Sequence, residues 1–87
     1  MRNGNVTIED YVGMHRILTA AEVRALPIGS HVLLHSFDRY GAHCTVDLQV
    51  AQASPASKRK MLTTVDYYGT RIIKPITDRQ NMCYTEV

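Results

Sequence analysis

The stretch HCTVDLQV, residues 43–50, alternates without a fault. Cys44, Val46, Leu48 and Val50 fall on one side, and His43, Thr45, Asp47 and Gln49 on the other. A two-residue period marks a half-buried strand and is incompatible with a helix, whose faces recur about every 3.6 residues. Upstream, PIGSHVLLHSF reads as a glycine turn followed by a second strand. Asp38-Arg39-Tyr40-Gly41 lies between the two strands. Aspartate opens type I turns, and a glycine in fourth place takes the left-handed backbone of a G1 bulge. A three-residue loop of this kind sets Asp38 against Ala42. It predicts Leu34 opposite Val46, Val32 opposite Leu48, and Ser36 opposite Cys44, with these residues making the core face. The polar face then carries His31, His35 and Phe37 with His43, Thr45 and Asp47. A one-residue slip would bury His35 against Val46, which the alternation forbids.

The neighbouring segments are read around this hairpin. LTAAEV is a capping box with a staple. The Thr19 hydroxyl can accept from the Glu22 N–H, the Glu22 carboxylate can accept from the Thr19 N–H, and Leu18 can pack on Val23. Alanines favour a helix over about residues 20–26, and Pro27 ends it. Two turns cannot stand alone, so this helix must lean on something larger. The segment VTIEDYVGMHRIL allows either a short turn opened by Thr7 and Asp10 or a strand with Val12 and Met14 on one face. MLTTVDYYG reads as a third strand, with Met61, Thr63, Val65 and Tyr67 the expected core face. Gly69-Thr70 turns the chain into RIIKPI, which Pro75 confines to an edge or a strand exit. MCYTEV is a candidate last strand. Four or five short strands with one short helix predict a mainly β (α+β) fold, either a small antiparallel SH3-like barrel or a curved sheet.

Eighty-seven residues make one domain the expectation, with residues 1–5 frayed and 51–60 a mobile loop. With no tryptophan and one phenylalanine, the core must be aliphatic. The net charge is +2 and unevenly spread. Residues 1–57 hold four Lys/Arg against five acids, and residues 58–87 hold six against three. Two cysteines, Cys44 and Cys83, are too few for a disulfide framework. With no signal-peptide pattern and no long apolar run, the expectation is a cytoplasmic chain with two free thiols and no membrane partner.

Motif chemistry is sparse. Three histidines and a cysteine fall between residues 30 and 44, but their spacing matches no established metal motif, and no metal or cofactor is expected. Cys44 and His43 are adjacent on a strand and point to opposite faces, so they cannot form a nucleophile–base pair. No nucleotide-binding glycine loop and no hydrolase motif occurs, and the chain is not expected to be an enzyme. The C-terminal TEV matches a strand-adding carboxylate motif, unless MCYTEV is itself part of the sheet.

Two binding readings remain. The first is a protein-binding module of the inhibitor or adaptor type, an accessory protein of a mobile element among them. It would act through an exposed hairpin face of Leu33, His35, Phe37, Tyr40 and His43, on another protein or on a second copy of the chain. The second is single-stranded nucleic-acid binding. Lys58, Arg59, Lys60, Arg71 and Lys74 would neutralise phosphates there, and Tyr67 and Tyr68 would stack on bases.

Overall fold

The computed structural model describes residues 7–87; residues 1–5, expected to fray, lie outside the described residues. The elements run in order as a 3₁₀ turn (Ile8–Tyr11), β1 (Ile17–Leu18), α1 (Ala20–Arg24), β2 (His31–Phe37), β3 (His43–Gln52), β4 (Lys60–Val65), β5 (Arg71–Lys74) and β6 (Met82–Glu86). All strand pairings are antiparallel, in one sheet of order β1-β6-β2-β3-β4-β5. The fold is therefore mainly β with one short helix, as the strand patterns predict. The sheet does not close: among the described residues β1 and β5 are its edges, and the curved-sheet expectation holds where the SH3-like barrel does not. The helix lies on a face of the sheet and plugs no barrel end.

The β2–β3 register is the predicted one, with Leu34 against Val46, Val32 against Leu48 and Ser36 against Cys44. The Asp38 N–H donates to the Ala42 carbonyl at 2.9 Å, and Gly41 has φ of 82°, which closes the three-residue loop. The aliphatic side of this hairpin meets Tyr84 of β6 and Leu62 of β4. Leu18, Val23, Val32, Leu48, Val50 and Ile76 make the main core with them.

α1 covers that face as its capping box requires. The Glu22 N–H donates to Thr19 Oγ1 at 3.1 Å, and the Thr19 N–H donates to Glu22 Oε1 at 3.0 Å. At the other end of the helix, Lys60 Nζ donates to the Arg24 and Leu26 carbonyls at 2.8 and 2.6 Å. It satisfies groups that a five-residue helix leaves bare and places a cation at the negative end of the helix dipole. The segment between β5 and β6 is strapped over the same face. The Tyr84 hydroxyl donates to the Thr77 carbonyl, Arg24 donates to the Ile76 carbonyl, and the Ala20 N–H donates to Asp78. Removal from water pushes the Tyr84 hydroxyl above its ordinary pKa, so it stays a donor.

One sequence expectation fails here, and one open alternative is resolved. On β4 the core residue is Leu62, opposite Val50, while Val65 is 62% exposed. The connecting loop, which occupies 53–59 because β3 runs on to Gln52 and β4 begins at Lys60, sets a parity that β4's own mixed pattern does not reveal. The candidate last strand MCYTEV does form, as β6, and Thr85 is fully buried between Leu33 and Ile17, so the TEV sequence belongs to the sheet.

Candidate functional site: the hairpin end of the sheet

The β4–β5 turn repeats the β2–β3 turn residue for residue. Asp38-Arg39-Tyr40-Gly41-Ala42 and Asp66-Tyr67-Tyr68-Gly69-Thr70 share an Asp-x-Tyr-Gly core. Asp38 Oδ1 accepts from the Tyr40 and Ala42 N–H groups at 2.8 and 2.9 Å. Asp66 Oδ1 accepts from the Tyr68 and Thr70 N–H groups, both at 2.9 Å. Gly41 and Gly69 have φ of 82° and 85°, a region costly for any residue with a Cβ. The shared pentapeptide spacing was available in the sequence, where Gly69-Thr70 reads as a turn between strands but its likeness to the first tip goes unread.

Register places both tips at one end of the sheet. Because β4 runs antiparallel to β3 and pairs Gln49 with Thr63, the C-terminal end of β4 lies beside the N-terminal end of β3, where the first tip stands. Two strand spacings separate the hairpin axes, roughly 10 Å. Tyr40 is 82% exposed, Tyr67 95% and Tyr68 86%. Tyr67 and Tyr68 meet edge to face at 5.3 Å, and the Arg39 guanidinium lies 5.3 Å from the Tyr40 ring centre.

Beside the first tip, the polar face is not open as predicted. Parity is right, since His31, His35 and His43 all point to that side. His35, however, is buried. The 3₁₀ turn folds back over it and places Ile8 and Val12 against Cys83 and Phe37 as a second small core. Phe37, His43 and Leu33 are half-buried. His35 therefore cannot serve as a contact residue in this conformation.

His35 is instead the centre of a hydrogen-bonded chain. Its Nε2 meets Thr85 Oγ1 at 2.8 Å, and its Nδ1 meets His43 Nε2 at 2.9 Å. The two rings are within 5° of parallel, with centres 5.2 Å apart, so they meet edge to edge through the nitrogens. Tyr11 lies over His43 at 5.1 Å and edge-on to Phe37 at 5.4 Å. Desolvation holds the His35 pKa below its ordinary value, with smaller pushes from His43 and His15. His31 is apart from this cluster and pairs with Asp47 at 2.9 Å. Among the described residues, no group of three or more His, Cys, Asp or Glu side chains is placed to hold a metal ion.

The residues proposed for nucleic acid are divided. Tyr67, Tyr68 and Arg71 stand at the hairpin end, and Lys74 lies farther along β5. Lys58 and Arg59 lie in the 53–59 loop at the opposite end of β4, and Lys60 is committed to the helix carbonyls. Cys44 and Cys83 are free thiols on opposite faces of the sheet. On the covered face, a cleft of about 140 Å³ runs over Leu34, Leu48 and Leu62, with Lys74 and Arg79 at its rim. It is smaller than the roughly 300–1,000 Å³ typical of ligand pockets, and its lining contains no carboxylate, imidazole or thiol. No helix of the described residues is long and apolar enough to cross a membrane. The chain matches no family model, no curated protein and no solved structure.

Proposed function

We propose that this chain is a non-enzymatic protein-binding module of the inhibitor or adaptor type, and that its contact surface is the hairpin end of the sheet. The observation that carries this reading is the presentation of Tyr40, Tyr67 and Tyr68, nearly fully exposed, on two Asp-anchored tips facing the same way. Exposed aromatic rings lose favourable burial unless something covers them, and tyrosine supplies a large amphipathic contact for only two lost torsions. Rigid turns lower the ordering cost of binding further. Tyr11, Phe37 and His43 extend the surface on the first hairpin, and Leu33 lies behind them on the same face. Two free thiols on opposite faces support a reducing, cytoplasmic setting.

Nucleic acid is the competing reading, supported by Tyr67 and Tyr68 beside Arg71. Charge placement favours a protein partner over it. Lys60 is occupied, Lys58 and Arg59 lie at the other end of β4, and Asp38 and Asp66 share the hairpin end with the tyrosines. Affinity capture from the source cells tests the reading, using the wild type and a Tyr40→Ser/Tyr67→Ser/Tyr68→Ser variant matched for folding by circular dichroism. A protein retained by the wild type and lost by the variant is the expected result. Identical captured sets would contradict it. Salt-dependent retardation of a labelled oligonucleotide, abolished by Lys58→Ala/Arg59→Ala, would favour nucleic acid instead.

A further inference from the structure

We infer that the His35–His43 pair is an acid-sensitive latch, which holds the N-terminal 3₁₀ turn over the sheet when neutral and releases it when doubly protonated. The 2.9 Å contact between His35 Nδ1 and His43 Nε2 needs one hydrogen between the two nitrogens. The Thr85 hydroxyl at His35 Nε2 can donate or accept, so either neutral tautomer of His35 is satisfied. One added proton leaves the contact intact, because only one of the facing nitrogens need carry hydrogen. A second proton puts hydrogen on both. The bond is then lost, and two cations face each other at hydrogen-bond distance, one ring buried and the other half-buried, where like charges repel more than in open water.

The surroundings offer little to neutralise that charge. From the 3₁₀ turn come Glu9, Asp10 and Tyr11; the Asp10 carboxylate is held by the Thr7 N–H at 2.9 Å, and both acids are exposed. His15, just beyond, adds a further positive charge when protonated. From β6 come Thr85 and Cys83, whose thiol is kept neutral by burial and by the nearby Glu9 charge. From β3, Thr45 lies opposite His35, and Asp47 is engaged by His31. Among the described residues, no carboxylate bonds either ring of the pair. Tyr11 lies over the His43 ring, with centres 5.1 Å apart, and offers no negative charge to the pair. The cheapest relief is to lift the turn, which exposes Ile8, Val12 and Cys83 and withdraws Tyr11 from Phe37 and His43. The latch would thereby remodel one flank of the hairpin end. That consequence rests on the contact-surface reading, while the opening itself does not.

Amide hydrogen exchange of the intact chain at pH 7.5 and pH 5, corrected for intrinsic rates, tests the opening. The reporters are the Asp10, Val12 and His15 amides, which bond to the Thr7, Glu9 and Val12 carbonyls. Relative to the core amide of Val50, they should lose protection about fivefold or more on acidification. In His43→Gln, which keeps a hydrogen-bonding side chain but takes no second proton, the acid-dependent loss should disappear. Unchanged relative protection in the wild type would overturn the proposal, as would an undiminished loss in His43→Gln. If that variant does not fold, the wild-type comparison decides. No partner enters the measurement, so its failure is distinct from failure of the tyrosine surface.

Discussion

Asp38 and Asp66 do the same work 28 residues apart: each carboxylate gathers two backbone N–H groups and holds a tyrosine-bearing turn in shape. Replacing either with Ala should lower stability by about 1 kcal/mol, the net worth of a pair of partly solvated hydrogen bonds, measured as a shift in urea midpoint. The glycines make a sharper comparison. A Cβ at Gly41 or Gly69 would meet no atom within 4 Å, so Gly→Ala there tests backbone strain alone. Both substitutions should cost about 1 kcal/mol, and equally. A large inequality would mean that the two turns are not equivalent. His35 is the residue at which reading the sequence misleads most. Its side of the sheet follows from register, but what covers that side is decided by Ile8 and Val12, more than twenty positions upstream.

At the scale of elements, what was legible is what is encoded locally. The capping box of α1 is self-contained in Thr19 and Glu22, and Pro27 stops the helix. Thr19→Ala should cost about 1 kcal/mol, visible as lost helical ellipticity and a lower midpoint. The Thr19 N–H bond, aided by Arg16 and opposed by desolvation, holds the Glu22 carboxyl below its ordinary value. The support that this carboxylate gives the helix is thus fully present above the unfolded value of 4.5 and is lost as pH falls through the lower folded one. The β2–β3 hairpin was equally local, because one turn and one alternating strand fix every pairing in it. The face of β4 was not. MLTTV alternates apolar and threonine residues in both parities, so only the length of the preceding loop selects Leu62 over Thr63. Docking of the 3₁₀ turn was illegible for a related reason: TIEDYV shows a four-residue spacing of Ile8 and Val12 but nothing that names their partner. Within the candidate site, Tyr40, Tyr67 and Tyr68 were legible as exposed, whereas the common direction of the two tips emerges only from sheet order.

The molecule is a thin plate, 51 × 30 × 19 Å; among the described residues, one face is covered by α1 and the Pro75–Asn81 strap and the other by the 3₁₀ turn at the His35 end. Such a plate should lose stability on mild acidification. Folded His35 binds its proton less readily than the unfolded chain, whose histidine titrates near 6.5. As pH falls below that value the unfolded state takes up more protons, so stability is fully present above it and declines toward the lower folded pKa. Urea midpoints should be flat from pH 8 to 7 and fall between pH 6.5 and 5, with His35→Gln flattening the fall. An acid-independent midpoint would mean that the imidazole is not sealed from water.

The claim on which the functional account depends is that both tips meet a partner together. Backbone amide shifts of the isotope-labelled chain, followed by nuclear magnetic resonance as the captured partner is added, test it most directly. Changes should cluster at residues 38–43 and 66–71, at the same partner ratio. Changes confined to residues 53–60, or to one tip with the other unmoved, would contradict it.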